Sequence, residues 1–258
     1  MSGEQLQGVV SLPEPQRLSD QLSTLLAAEI VSGRIAVGQT FPSADEIVNR
    51  FSVSRTVARE TVQALAMLGL VHVQHGKRTA VCPREDWDIL SSVVQEALRR
   101  EGMAEPLLRD LYEFRLLIEP QAAAWMAQHG SAEDLARLDE IAATMEQLVG
   151  GEPAVAEVMQ ADRSFHDLVA RASENRVVAA VSRDIRELIS TLWGFSALGV
   201  EQVRVVADQH RTIADAIGRR DPDAATVAMR DHLRWAAQAD LHSPAGQPKL
   251  PPDRLVRS

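Results

Sequence analysis

The stretch Phe41–Val81, FPSADEIVNRFSVSRTVARETVQALAMLGLVHVQHGKRTAV, sets capped helical segments directly before a pair of short apolar runs. Ser43 stands where a cap opens a helix reaching Arg50, and Ser54 where a second cap opens one reaching about Leu68. Gly69 then supplies a stop. Val71–Gln74 and Thr79–Cys82 flank a glycine-containing turn, which predicts two short strands. Upstream, Leu18, Leu22, Leu25, Leu26 and Ile30 recur at helical spacing over residues 17–32, with Gly33 behind them.

Three helices followed by a β-hairpin is the order of a winged helix-turn-helix, in which the third helix enters the major groove and the hairpin touches the backbone or the minor groove. Charge agrees locally and disagrees globally. The 258-residue chain carries a net charge of -9, which alone argues against a polyanionic partner. From Arg50 to Arg84, however, six basic side chains face one acid, Glu60, whereas residues 85–258 hold 19 basic and 29 acidic ones. A small basic head on a large acidic body predicts two domains with different partners. Ser54, Arg55 and Thr56 fall at the N-terminus of the recognition helix, where free N–H groups favour phosphate, and Arg59 shares their face one turn on. Solvated surface charge is the alternative reading of both arginines. His75, Gly76 and Lys77 form the expected wing tip, with Gly permitting close backbone approach.

The body reads as helices alone, over residues 87–101, 106–129, 132–149, 153–172, 175–197, 200–219 and 222–241, punctuated by Pro106, a Ser131/Asp134 capping box, Pro153, Asn175 and Asp221-Pro222. The expected fold is therefore mainly α, an N-terminal winged helix-turn-helix plus a C-terminal all-α antiparallel helical bundle. The expected divisions are a flexible N-terminus at 1–13, the DNA-binding domain at 14–84, the helical domain at 85–242 and a Pro-rich disordered tail at 243–258. The single cysteine, Cys82, the lack of a signal-like N-terminus and the lack of a long apolar run predict a cytoplasmic protein with no membrane association.

Within the bundle, polar residues interrupt apolar stripes. Asp162 and His166, four apart, lie on the stripe formed by Val155, Val158, Met159, Phe165 and Val169. His210 sits amid Val203, Val206, Ala207, Ile213 and Ile217, and His232 amid Ala225, Met229, Trp235 and Ala239. A single inward histidine is more often a hydrogen-bonded core residue than a ligand. Burying four such groups without a common partner would cost several kcal/mol, and a divalent cation supplies that partner. Three imidazoles and a carboxylate suit Zn, Ni or Mn alike. Arg115 interrupts a further stripe, Leu108, Leu111, Ile118, Ala122 and Trp125, and since it cannot shed its proton it needs an anion. Glu119, one turn away, Asp162, or the carboxylate of a bound acid would each serve.

The quoted stretch resembles the N-terminal domain of the GntR family of bacterial transcription regulators, with its Pro-Ser opening, Ser-Arg-Thr turn, Arg-Glu pair and glycine-bearing wing, over about 60 residues. The resemblance implies DNA contact at Ser43, Ser54, Arg55, Thr56, Arg59, His75, Gly76 and Lys77. Asp45 departs from it, because the family often has a DNA-contacting arginine there. The body is similar to the all-helical FCD ligand-binding domain of the FadR subgroup, whose Asp-x-x-x-His, His, His motif falls on Asp162, His166, His210 and His232. That resemblance implies a metal at those four residues and an effector cavity lined by Arg115. Asn175 and Trp193 are further candidates for the cavity, with helix capping and packing as their plainer roles. The "DWDILSSVVQEALRREG" and "EFRLLIEPQAAAWMAQ" segments are similar to those of relatives that respond to sugar acids such as galactonate.

These readings converge on a homodimeric, metabolite-responsive repressor, not an enzyme, that binds a double-stranded DNA operator and a small carboxylic-acid effector. Dimerisation follows because one head makes too few contacts for specificity. A metal-dependent hydrolase and a regulator with a purely structural metal remain the alternatives.

Overall fold

The computed structural model describes residues 18–73, 78–151, 155–193 and 200–241. It divides into two compact units that part between Ala97 and Leu98. The fold is mainly α, with a winged helix-turn-helix at the N-terminal end and a helical bundle after it.

In the first unit α1 (Leu18–Val31) packs on α3 (Arg55–Met67), and α2 (Ala44–Phe51) packs on α3 in turn. Leu22, Leu26, Ile30, Phe41, Ile47, Ala58 and Leu65 close the core between them. Ser43 accepts from Glu46 N while the Glu46 carboxylate returns to Ser43 N at 2.7 Å, a full capping box that fixes where α2 starts. Ser52, with a left-handed φ of 54°, ends α2, and Ser54 Oγ accepts from Val57 N at 3.2 Å to start α3. Those caps leave a turn of only Ser52–Ser54 between the helices. Strands β1 (Val71–His72) and β2 (Ala80–Val81) pair antiparallel, Val71 opposite Val81, and Thr40 bridges to Ala80 on the outer side.

The chain does not enter a helix at residue 87. Trp87 is buried with its indole N–H donating to the Cys82 carbonyl at 3.2 Å, and Asp88 N donates to the Leu68 carbonyl. These tertiary bonds hold residues 87–91 against the end of α3, so α4 spans only Ser92–Arg100.

The second unit contains α5 (Glu105–His129), α6 (Ala132–Val149), α7 (Val155–Arg171), α8 (Arg176–Trp193), α9 (Val200–Gly218) and α10 (Pro222–Leu241). Helix α5 lies along α10, while α9 lies against α6 and α10. Ser131 and Asp134 form the expected capping box on α6. One large core runs from Ala122 and Met126 on α5 through Phe165 on α7 to Ile213 on α9 and Met229 on α10; a second joins Leu108 and Leu111 to Ile185 and Ile189 on α8. The inward stripe of α5 runs Leu111, Arg115, Glu119, Ala122 and Met126, so Trp125, expected inside, is 37% exposed. The period of 3.6 residues turns that position outward. No helix among the described residues is long and apolar enough to cross a membrane. The wing tip at His75, Gly76 and Lys77 and the terminal segments 1–13 and 243–258 lie outside the described residues.

Gly69 ends α3 at φ +68°, and a Cβ placed there would meet the Asp86 carbonyl oxygen at 2.0 Å. Left-handed backbone costs an L-residue about 1–2 kcal/mol before any clash. Gly69→Ala is therefore expected to destabilise the first unit by at least about 2 kcal/mol, measured as a lowered melting temperature; an unchanged melting curve would contradict the packing described.

Candidate functional site

On the first unit, Ser43, Ser54, Arg55, Thr56 and Arg59 are all exposed. The start of α2, the outer face of α3 and residues flanking the strands border a groove of about 920 Å³ lined by Ser43, Glu46, Arg59, Gln63, Val73 and Arg78 among others. Such a groove, edged by arginines and a helix N-terminus, has the chemistry to receive phosphates. Arg55 lies 3.2 Å from Asp45, the acid that departs from the family pattern. Both partners are mostly exposed, so the pair contributes little stability, but it sets an internal carboxylate against a side chain expected to reach DNA.

The second unit gathers Asp162, His166, His210 and His232, with one ligand-capable atom from each lying within 4.8 Å of all the others. The three imidazoles are buried and Asp162 is 17% exposed at its side chain. His166 Nε2 is 3.3 Å from Nε2 of both His210 and His232, and His210 Nε2 is 3.3 Å from Asp162 Oδ1. The opposite ring nitrogens assign tautomers to His210 and His232. His210 Nδ1 lies 2.7 Å from the Val206 carbonyl and His232 Nδ1 lies 2.9 Å from Gln209 Oε1, both acceptors, so each N–H is on Nδ1 and each Nε2 turns a lone pair inward. The inward lone pairs of His210 and His232 both converge on His166 Nε2, and a cation at the centre of the cluster would be attracted by both. Nitrogens about 2.0–2.1 Å from a tetrahedral ion are separated by about 3.3 Å, so the donor set fits a divalent metal.

Behind His166 stands Glu119. Its Oε2 is 2.7 Å from His166 Nδ1, without hydrogen-bond alignment, and its Oε1 accepts from Arg115 Nε at 2.7 Å. A carboxylate behind a ligating imidazole fixes the ring and raises its basicity. Burial opposes the charge on Glu119, but Arg115 and His166 outweigh it and hold the carboxyl well below its usual range. Arg115 thus takes the internal acid as its partner, and it also lines a cavity of about 70 Å³ beside the cluster. Asp162, Arg186, Ser190 and His232 share that wall with the apolar Met159, Ile189, Val206 and Trp235. At one edge the Tyr112 hydroxyl donates to Asp240, whose carboxyl burial pushes up to about 6 against the opposing effect of that bond and of Arg115.

Comparison with known proteins bears on both units. Residues 18–81 match "Bacterial regulatory proteins, gntR family", and residues 110–234 match "FCD domain". The chain carries a GntR-type helix-turn-helix domain followed by an FCD domain. The chain is 25% identical over 211 residues to the "Galactonate operon transcriptional repressor" of Escherichia coli, covering 81% of this chain and 91% of that one. It is 28% identical over 223 residues to the "HTH-type transcriptional repressor NanR" of Cronobacter sakazakii, covering 84% and 83% respectively. A solved structure titled as Lar, which controls expression of the Listeria monocytogenes agr system, shares the fold with a TM-score of 0.55 at 15% identity, over 88% of this chain and 98% of that one. The GntR head and FCD domain make the chain a DNA-binding transcription regulator.

Within the FCD domain Asn175 takes its plainer role. Its Oδ1 accepts from Val177 N at 3.0 Å and Val178 N at 3.2 Å, capping α8, and it is exposed and absent from the cavity wall. The side chain of Trp193 lies outside the described residues. Arg186, Tyr112, Asp240 and Arg78 were not among the residues expected from sequence, and Glu119 was expected only as a possible partner of Arg115. A signal for Arg186 existed: it shares a helical face with Ile185, Ile189 and Ser182, so it too is a charge on a buried stripe.

Burial lowers the pKa of His210 to about 4, with Asp162 opposing, and holds His232 well below its ordinary value. Both rings are therefore neutral, as metal ligands must be. Between about pH 6.5 and pH 4 the unfolded chain binds more protons than the folded one, so stability falls as pH falls through that window. For His210 alone the loss amounts to about 3 kcal/mol at roughly 1.4 kcal/mol per pKa unit. In chelator, denaturant unfolding should show this acid limb, and His210→Gln should flatten it; equal limbs in both proteins would refute the account.

Proposed function

We propose that the chain is a repressor that binds a roughly palindromic operator as a homodimer, and whose FCD domain holds a divalent cation together with a small carboxylic acid. The observation that carries the reading is the convergence of two inward lone pairs, a third imidazole and a carboxylate at a cavity that also presents arginines. Asp162, His166, His210 and His232 would hold the cation, with Glu119 orienting His166. Zn, Ni and Mn all accept three imidazoles and a carboxylate. Bound there, the ion supplies positive charge on which the carboxylate or hydroxyl oxygens of an acid can settle. The similarity to a galactonate operon repressor makes galactonate and related sugar acids the first effectors to try. A regulator is favoured over a metal-dependent hydrolase because the FCD domain is joined to a GntR head and the similar proteins are named as regulators.

A thermal-shift series with Zn, Ni and Mn, with and without chelator, tests the cation site. Chelation should lower the melting temperature, and a metal at a hundredfold excess over its Kd should raise it by about 5–10 °C. His210→Ala should abolish that rise; a metal-independent melting curve in the wild type would sink the reading. Addition of acids to the loaded protein tests the effector, and turnover of an acid or ester would favour the hydrolase.

For the head, Arg55→Ala combined with Arg59→Ala should weaken operator binding at least about tenfold and flatten the plot of log K against log salt by about one for each phosphate that is no longer neutralised. Asp45→Asn frees Arg55 and removes a negative charge from the same surface, so it should tighten binding, by less than about tenfold because the exposed pair is weak. Fluorescence anisotropy across a salt series reads both; weaker binding by Asp45→Asn would show that the acid assists DNA contact.

A further inference from the structure

Arg186 is left over by the cation site. It lies on α8 with its side chain 6% exposed, and it lines the same cavity as Asp162 and His232. Its Nη2 donates to Asp167 on α7. Its Nη1 is buried without a hydrogen-bond partner among the described residues. Glu119 Oε1 is 3.8 Å away, beyond hydrogen-bond reach, and is already engaged by Arg115 Nε at 2.7 Å.

The two buried arginines of the cavity therefore differ, while the third on its wall, Arg163, is half-buried and donates to Gln160 Oε1 at 2.8 Å. Arg115 commits Nε and Nη2 to Glu119, at 2.7 and 3.4 Å, with Nη2 also 3.4 Å from His166 Nε2, and cannot meet a ligand with that edge of its fork without releasing the acid that backs His166. Arg186 is anchored by Asp167 and keeps a donor on Nη1. A guanidinium does not escape burial by losing its proton, so that donor calls for an acceptor from elsewhere. A carboxylate is the best match in charge and geometry.

We propose that Arg186, not Arg115, receives the carboxylate of the effector, through Nη1. The assignment rests on the reading that the domain binds a carboxylic acid. Arg115 is then a positioning residue that holds Glu119 against His166, and the effector lies between the cation site and α8.

Calorimetry on the full chain loaded with Mn²⁺ tests this, using galactonate, lactate and acetate as probes and galactitol as the uncharged counterpart of galactonate. The wild type should bind at least one of the acids and discriminate against galactitol. Arg186→Gln should weaken that acid by about tenfold to a hundredfold, the worth of a charge-assisted hydrogen bond, while Mn²⁺ affinity and cooperative unfolding stay close to wild type. Arg186→Lys keeps the charge beside Asp167 without the planar fork and should fall between the two. Binding of the acid by Arg186→Gln within about twofold of wild type would overturn the assignment and leave the acid-binding reading intact. A parallel loss of Mn²⁺ affinity in both variants would also overturn it, since Arg186 would then support the cation site alone. If none of the acids binds the loaded wild type, the acid-binding reading falls and takes the assignment with it.

Discussion

The second unit depends on one constraint: imidazole nitrogens from α7, α9 and α10 are pressed to 3.3 Å inside an apolar core. Two of the rings are held from behind by hydrogen bonds, and the third has a carboxylate behind it. Val206 on the same helix holds His210, Gln209 on α9 holds His232 on α10, and Glu119 on α5 stands behind His166. Phe165 packs edge-on against His210 at 4.5 Å between centroids, which closes one side of the cluster to water. With their lone pairs turned inward, His210 and His232 cannot flip without leaving a buried Nδ1 donor unpaired, at about 1–3 kcal/mol each.

That arrangement decides how the charged groups around it are sorted. Glu119 spans from His166 to Arg115, and its low pKa keeps it ionised and available to both. Removal of either member of such a buried pair exposes the other to a desolvation penalty of several kcal/mol, so the pair is a coupled unit with the histidines. Asp240 lies at the other extreme. Its carboxyl is raised to about 6 by burial, against the lowering effect of the Tyr112 hydroxyl and Arg115.

Most of the fold was legible because local signals agreed with tertiary packing. Ser43, Ser54 and Ser131 cap the helices their positions indicate, and Gly69 closes α3 with the positive φ that a glycine stop supplies. The four candidate metal ligands were legible for the opposite reason, as polar interruptions of apolar stripes. Residues 87–91 were not, because Trp87 and Asp88 bond to segments outside their own helical pattern, and no periodicity reports a tertiary hydrogen bond. Partner choice was equally hidden. Arg115 announces that it needs an anion, but Glu119 Oε1 meets it only in the folded geometry. Asp45 stands out by type, yet its contact with Arg55 depends on the tight turn at Ser52–Ser54.

The arrangement of helices bears on how a ligand could be felt. Asp162 and His166 lie on α7, His210 on α9 and His232 on α10, so a cation held there would join those helices and leave α8 outside the coordination set. Helix α8 reaches the cavity through Arg186, Ile189 and Ser190, and is tied to α7 by Arg186 and Asp167. An acid held between the cation and Arg186 would add a second tie, present only when both ligands are bound. A ligand shifts a conformational equilibrium only by its differential affinity for the competing states. The position of α8 relative to the α7, α9 and α10 trio is the coordinate on which such an acid has that leverage, because moving α8 breaks its bridge while leaving the cation site intact.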